Sequence, residues 1–396
     1  MTRSILQRCS VLILAALFAP LGAASAADPW AWNAERGAPG FATEDALWSS
    51  PEPDRLAAWG RAFADPAGAE AGAGESEPMS KECIAMREDV YADVGTVLAA
   101  GCQPTTAQMA RLMDNPLGNV AMWINQLDVI PLTNDAVDPD RSELYTNYMG
   151  ILQFPKGITE NWNIISRIVY NIPSVPLDQD EIDRLGAIAP TIPPPGMGPP
   201  SPPPGVQPID IIGGRTSGFG DMIYLGLLSP KEGIKHGEGQ TSVYGFGVGQ
   251  TFPSASDDLL GSGKWSAGPS ALYAYLGQKW KLGALLQTYF SYAGDSARND
   301  VTTMNLQLFY YYSVTPTISI GAGPNIIADF EADDGDQWTV PLGIGVGYTM
   351  NIGKIPFRFM LEYYGSVHRP DTIGNTHDLR FIVIPAVPAG LIPFLR

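Results

Sequence analysis

The sequence predicts an all-β fold, an antiparallel transmembrane β-barrel of about twelve strands preceded by a disordered segment and a small helical unit. Three observations predict it. From Leu117 onward apolar residues recur with period two. The alternating apolar faces are bounded by Trp and Tyr. Successive segments are joined alternately by tight turns and longer polar loops.

Composition agrees. Charged residues are 16% of the 396 and the mean hydropathy is zero, which is less polar than an ordinary soluble domain. Beyond residue 26, however, no apolar run is long enough for a membrane helix. Gly (43 residues) and aromatics (10%) are instead interleaved with Ser, Thr, Asn and Gln, as expected when one strand face meets lipid and the other a polar lumen. A net charge of −17 excludes nucleic acid as a partner class, because phosphates require a basic footprint.

The N-terminal residues predict the compartment. Arg3 and Arg8 precede a short apolar stretch over 11–21, and Ala24-Ser25-Ala26 forms a small-residue cleavage site. Residues 1–26 therefore read as a signal peptide and the destination as the outer membrane of a Gram-negative cell. Cys9 goes with the leader. The two remaining cysteines, Cys83 and Cys102, are expected to pair in an oxidising compartment. Residues 27–79, rich in Ala, Gly, Pro and Glu, read as a disordered linker. Residues 80–114 read as a helical hairpin. Met86, Val90, Val94 and Leu98 recur at helical spacing, and a second helix starts at a Thr105 or Thr106 cap and ends near Asn115-Pro116. This unit is expected either in the periplasm or as a plug within the barrel.

The barrel itself is assigned to 115–396. Over 280–292, Trp280, Leu282, Ala284, Leu286, Thr288, Phe290 and Tyr292 form a lipid face, and Lys281, Gly283, Leu285, Gln287, Tyr289 and Ser291 form the other. Over 338–348, Trp338, Val340, Leu342, Ile344, Val346 and Tyr348 repeat the pattern, with Pro341 as an irregularity that lacks a ladder donor. Strands are predicted near 117–130, 143–154, 160–173, 218–229, 241–253, 264–276, 279–293, 301–313, 317–331, 337–351, 355–368 and 378–384. The tight turns at 277–278, 314–316 and 351–354 alternate with polar loops at 253–264, 294–300, 331–336 and 369–377. The longest loop, 174–216, carries two Pro triplets and favours extended chain.

A charge facing lipid is costly, so charges inside strands must point inward. Parity places Arg167, Arg358, Glu362 and Arg380 in the lumen, with Asp221 and Asp329 alongside. Gln287, Tyr289, Asn305, Gln307 and Tyr311 line the same interior. These groups would first brace the barrel as ion pairs, and could also order a passing solute. Asp257, Asp258, Asp333, Asp334 and Asp336 in the loops suit a divalent cation, but no full Ca²⁺-loop spacing is present, and solvated loops are the simpler expectation. No metal or cofactor is expected. Catalytic signals are weak. His236, His368 and His377 read as solvated residues, and Ser366 lies in no Gly-x-Ser-x-Gly turn, so no enzyme is expected.

Several stretches carry a resemblance. They are Asn115-Pro116-Leu117, Glu160-Asn161-Trp162-Asn163, Gly218-Phe219-Gly220-Asp221, the run from Pro253-Ser254-Ala255 to Ala267-Gly268-Pro269, Ser291-Tyr292-Ala293-Gly294-Asp295, Gln337-Trp338-Thr339-Val340-Pro341-Leu342 and Leu379-Arg380-Phe381. Their order resembles the outer-membrane barrel family assigned to transport in the meta-pathway of phenol degradation. The resemblance implies a channel class and no particular substrate, and the leading expectation is a passive conduit for small hydrophobic or aromatic compounds, through an open lumen or a lateral opening near a strand irregularity such as Pro324 or Pro341. A structural or surface-binding barrel with a closed lumen is the alternative. The implied partners are outer-membrane lipid, lipopolysaccharide, the barrel assembly machinery and a small apolar solute. The chain departs from the family in its proline-rich insertion, its longer helical segment and a C-terminus that runs past Ile384.

Overall fold

A computed structural model describes residues 80–134, 138–177, 214–353, 355–370 and 374–388. The expected signal peptide, linker and proline triplets lie outside the described residues.

Twelve strands form one closed antiparallel barrel. They are β1 (Val120–Asn134), β2 (Asp138–Gly157), β3 (Trp162–Val175), β4 (Met222–Pro230), β5 (Gln240–Phe252), β6 (Lys264–Leu276), β7 (Trp280–Gly294), β8 (Thr302–Ser313), β9 in two pieces (Ile318–Ala322 and Asn325–Asp329), β10 (Trp338–Ile352), β11 (Ile355–His368) and β12 (His377–Pro388). Each pairs with its sequence neighbour, and β12 closes on β1 with Asp128 opposite Arg380 and Val120 opposite Pro388. Closure removes the edges that a single sheet would leave unpaired in lipid. The last strand runs four residues beyond the predicted end at Ile384, because the alternation continues through half-buried Pro385, fully buried Ala386 and half-buried Val387.

The side chains follow the pleat. Trp280, Leu282, Leu286, Phe290, Leu342, Ile344, Val346 and Tyr348 are exposed on the outside, and so are Trp123, Phe246, Tyr273, Leu361 and Phe381 on the other strands. Such a continuous apolar wall would aggregate in water. Aromatic pairs sit near its two rims. Trp280 and Tyr312 (5.0 Å between centroids) lie near the short turns, and Phe252 and Trp265 (5.5 Å) near the long loops. This is the placement of membrane-interface girdles.

Ahead of the barrel lie α1 (Lys81–Glu88), α2 (Val94–Ala99) and α3 (Thr106–Met113). The predicted first helix is broken in two at 89–93. There the Asp89 carboxylate accepts from Tyr91 N at 2.8 Å, and Asp93 accepts from Thr96 N at 2.8 Å to cap α2. Local side-chain bonds have outcompeted a continuous helix. Thr105 caps α3 with a reciprocal box, its Oγ1 accepting from Gln108 N and its own N–H donating to Gln108 Oε1. A Cys83–Cys102 disulfide, with Cα atoms 5.5 Å apart, ties α1 to the chain just before α3.

Candidate functional site

The interior divides by depth. At the turn end it is apolar and filled. Leu117, from the segment after α3, packs among Ile165, Leu225, Val243, Leu272 and Leu285 of five different strands. Gly245 makes room for it, since a Cβ there would lie 3.3 Å from the Leu117 side chain. Met113 packs against Val120, Met122, Met360, Ile382 and Ile384 on the opposite wall. Polar contacts fix this segment. Asp114 bridges Lys281 (3.0 Å) on β7 and Arg358 (2.7 Å) on β11. Arg111 donates to the carbonyls of Gly277 and Gly239 in two of the turns and lies over the Tyr91 ring at 4.6 Å. Burial pushes the Arg111 pKa down, against the pull of Tyr91, Asp114 and Asp89.

The middle of the barrel is polar. Arg380 Nε donates to Asp128 Oδ1 at 2.7 Å, while its terminal nitrogens reach Asp378 at 3.4 Å and Gly323 O at 3.1 Å. The guanidinium also lies over the Tyr364 ring at 4.9 Å. Glu362 accepts from Tyr311 Oη at 2.8 Å and from Tyr364 Oη. These are the charge-assisted bonds that buried ions need.

At the loop end, segment 253–263 folds inward. Leu259 and Leu260 are buried against Ile130, Leu132, Tyr145 and Val175. Asp221 holds the segment. It accepts from Ser262 N and Oγ at 2.7 and 2.8 Å and from Ser254 and Ala255 N at 3.1 and 3.2 Å.

One stretch of wall is incomplete. On β9, Gly321 pairs with Gly345 and Ile327 with Thr339, but 322–326 and the facing 340–344 have no strand pairing with each other. The register is the same on both sides, so β9 buckles without gaining a residue. It stays tied to β8 through Ala322 opposite Tyr310, Asn325 opposite Gln307, and Leu308 N donating to Pro324 O at 2.9 Å. Pro324 and Pro341 lack amide hydrogens, which removes two possible donors from the interrupted ladder. Tyr310 Oη spans the interruption and donates to Gly343 O at 2.7 Å. Behind it lies a cavity of about 50 Å³ lined by Asp128, Asn147, Pro324, Ile327, Pro341, Asn375, Asp378 and Arg380, among others.

The residues singled out by sequence therefore serve in different places. Arg167 is inside, donating to Gln153 Oε1 at 2.6 Å and Pro116 O at 3.4 Å. Tyr289 is buried and donates to Gln287 Oε1 at 3.1 Å, in space that Gly249 leaves free. Asn305 is buried opposite Gln287, and Gln307 is half-buried opposite Asn325. Arg358, Glu362 and Arg380 stand as described. Two more keep inward parity but sit at strand ends. Asp221 lies just before β4 and fastens a loop, because four donors of that loop converge on it. Asp329 closes β9, its carboxylate accepting from Glu331 N at 3.1 Å to start the next turn. Asp114, Asp128, Asp378 and Lys281 had not been singled out. Asp128 shares its parity on β1 with Gln126, whose Nε2 donates to it at 2.7 Å, and Asp114 belongs to no strand.

The loop carboxylates do not converge. Asp257 caps a single 3-10 turn, Asp258 reaches Arg298 at 4.0 Å, and among the described residues no three His, Cys, Asp or Glu side chains are grouped to hold a metal ion. His377 Nδ1 meets Tyr363 Oη at 2.7 Å.

No family profile matches the chain, and no curated protein matches it in sequence. Solved outer-membrane barrels match in structure. An outer membrane channel from Pseudomonas putida F1 is 14% identical, with 68% of this chain and 94% of that chain covered and a TM-score of 0.44. Outer membrane phospholipase A from Escherichia coli is 12% identical over 71% of this chain and 97% of that chain, with a TM-score of 0.35. The P. putida toluene transporter TodX is 9% identical over 72% and 93%, with a TM-score of 0.30. At these values the likeness is one of barrel fold.

Proposed function

We propose that the protein is an outer-membrane transporter through which small hydrophobic or aromatic compounds pass passively. They would cross the barrel interior beside this cavity and leave sideways through the wall between β9 and β10. The interrupted pairing beside a cavity is the single observation that carries this reading. An axial path for solute is disfavoured by Leu117, Met113 and the Asp114 bridge, which fill the turn end. With short turns facing the periplasm, the helical unit serves as a periplasmic plug. An apolar compound loses nothing on sliding from a lumen into lipid, whereas a hydrophilic one would leave its hydration behind. The motif resemblance supports a channel class. The outer-membrane placement is supported by the apolar wall and by the leader that the sequence of residues 1–26 leads one to expect.

The test is uptake of radiolabelled naphthalene by cells with an intact lipopolysaccharide leaflet, with and without the protein. Faster uptake with the protein is expected. Equal uptake would sink the conduit and favour a closed structural barrel.

A further inference from the structure

The central cavity is unbalanced in its polar groups. Asn147 Oδ1, Asn375 Oδ1 and Asp378 Oδ1 are buried acceptors without a hydrogen-bond partner, on residues 4%, 6% and 6% exposed, and all three residues line the cavity. Buried acceptors left unpaired are costly, and three around one small space mark a place built for donors. The local cation is already committed. Arg380 donates to Asp128, Asp378, Gly323 O and Tyr364 Oη. Charge is unbalanced in the same sense. Asp128 and Asp378 share one guanidinium, and Glu362 stands behind them on two tyrosine hydroxyls. The remaining need is for a positive group with several N–H donors.

The apolar side of the cavity fits the rest of such a ligand. Pro324, Ile327 and Pro341 line it where the wall pairing is interrupted. A volume of about 50 Å³ admits a head group and not a whole aromatic molecule. A hydrated inorganic cation has no use for the apolar flank. We propose that the cavity is a head-group site for a primary ammonium, with the apolar body of the amine directed to the interruption between β9 and β10. This rests on the transporter reading and narrows its substrate class to apolar or aromatic amines.

The experiment uses the mature protein in nanodiscs of zwitterionic phosphatidylcholine at fixed ionic strength. Binding of 2-(4-fluorophenyl)ethylammonium and of the neutral 2-(4-fluorophenyl)ethanol is followed by ¹⁹F NMR. The ammonium should bind about tenfold more tightly, since bonds to a charged donor are the stronger ones. Asp378→Asn should bring the two ligands close to parity, and Asn375→Ala should weaken the ammonium severalfold. Heat-modifiable migration on gels reports whether each variant folds, and Asn375→Ala decides if Asp378→Asn does not. Equal or tighter binding of the alcohol to the wild type would overturn the proposal, as would an ammonium preference unchanged in the folded variants. The two readings can fail separately. Ammonium preference without naphthalene uptake would leave a binding barrel, and uptake without the preference would remove the head-group site alone.

Discussion

The turn-end half of the interior and its middle are built from the same alternation of inward side chains, yet they are closed by different physics. At the turn end, a foreign segment brings Met113 and Leu117 into an apolar lumen, and the Asp114 bridge to Lys281 and Arg358 fastens it. In the middle, the barrel's own residues meet across it through Arg380, and a cavity remains. Apolar packing tolerates any neighbour of suitable size, so a separate segment can fill that end. Ionic packing demands paired geometry, so the middle keeps unfilled space where no partner fits. The difference separates an end filled by a separate segment from a middle that keeps open space.

The comparison breaks most severely at Arg380. Arg380→Ala leaves Asp128 and Asp378 together and buried, and should cost about 3–5 kcal/mol in denaturant unfolding of the lipid-reconstituted protein. An unchanged midpoint would mean that the middle is not held by its charges. Asp114→Ala should act at the other end. It strands Lys281 and Arg358 and should loosen the helical unit by about 3 kcal/mol. Trypsin cleavage after Arg111 should then quicken about 100-fold with the barrel intact. Cleavage at the wild-type rate would assign the docking to apolar packing alone. Reducing Cys83–Cys102 removes a cross-link over 19 residues, up to about 3 kcal/mol in the chain-entropy view. It should free α1 and leave α3 seated, so protection should fall at Arg87 and persist at Arg111. The smallest effect is expected at the wall. Tyr310→Phe loses one bond across the interruption, worth about 1 kcal/mol, and should raise naphthalene uptake about fivefold.

The fold was legible because lipid imposes one rule on every strand, and a run such as 280–292 can satisfy it with only one parity. The same rule brought Arg167, Arg358, Glu362 and Arg380 inside. It says nothing about depth around the barrel or about which side chains meet. Asp128 and Arg380 are 252 residues apart and become neighbours only when β12 closes on β1. Asp221 has the parity of a lumen residue, but it ends outside the ladder among loop amides that parity does not describe. Pro324 and Pro341 were visible as irregularities. That they fall one position apart on the two sides of a single interruption depends on the register of β9 with β10.

Sideways passage is tested most directly by closing that interruption reversibly. Ile326→Cys and Val340→Cys stand opposite each other in the shared register, and a reducible bifunctional thiol reagent can bridge them. Naphthalene uptake should fall to the level of cells without the protein when the bridge is formed, and return when it is reduced. Uptake that continues unchanged through the bridged wall would contradict a lateral route.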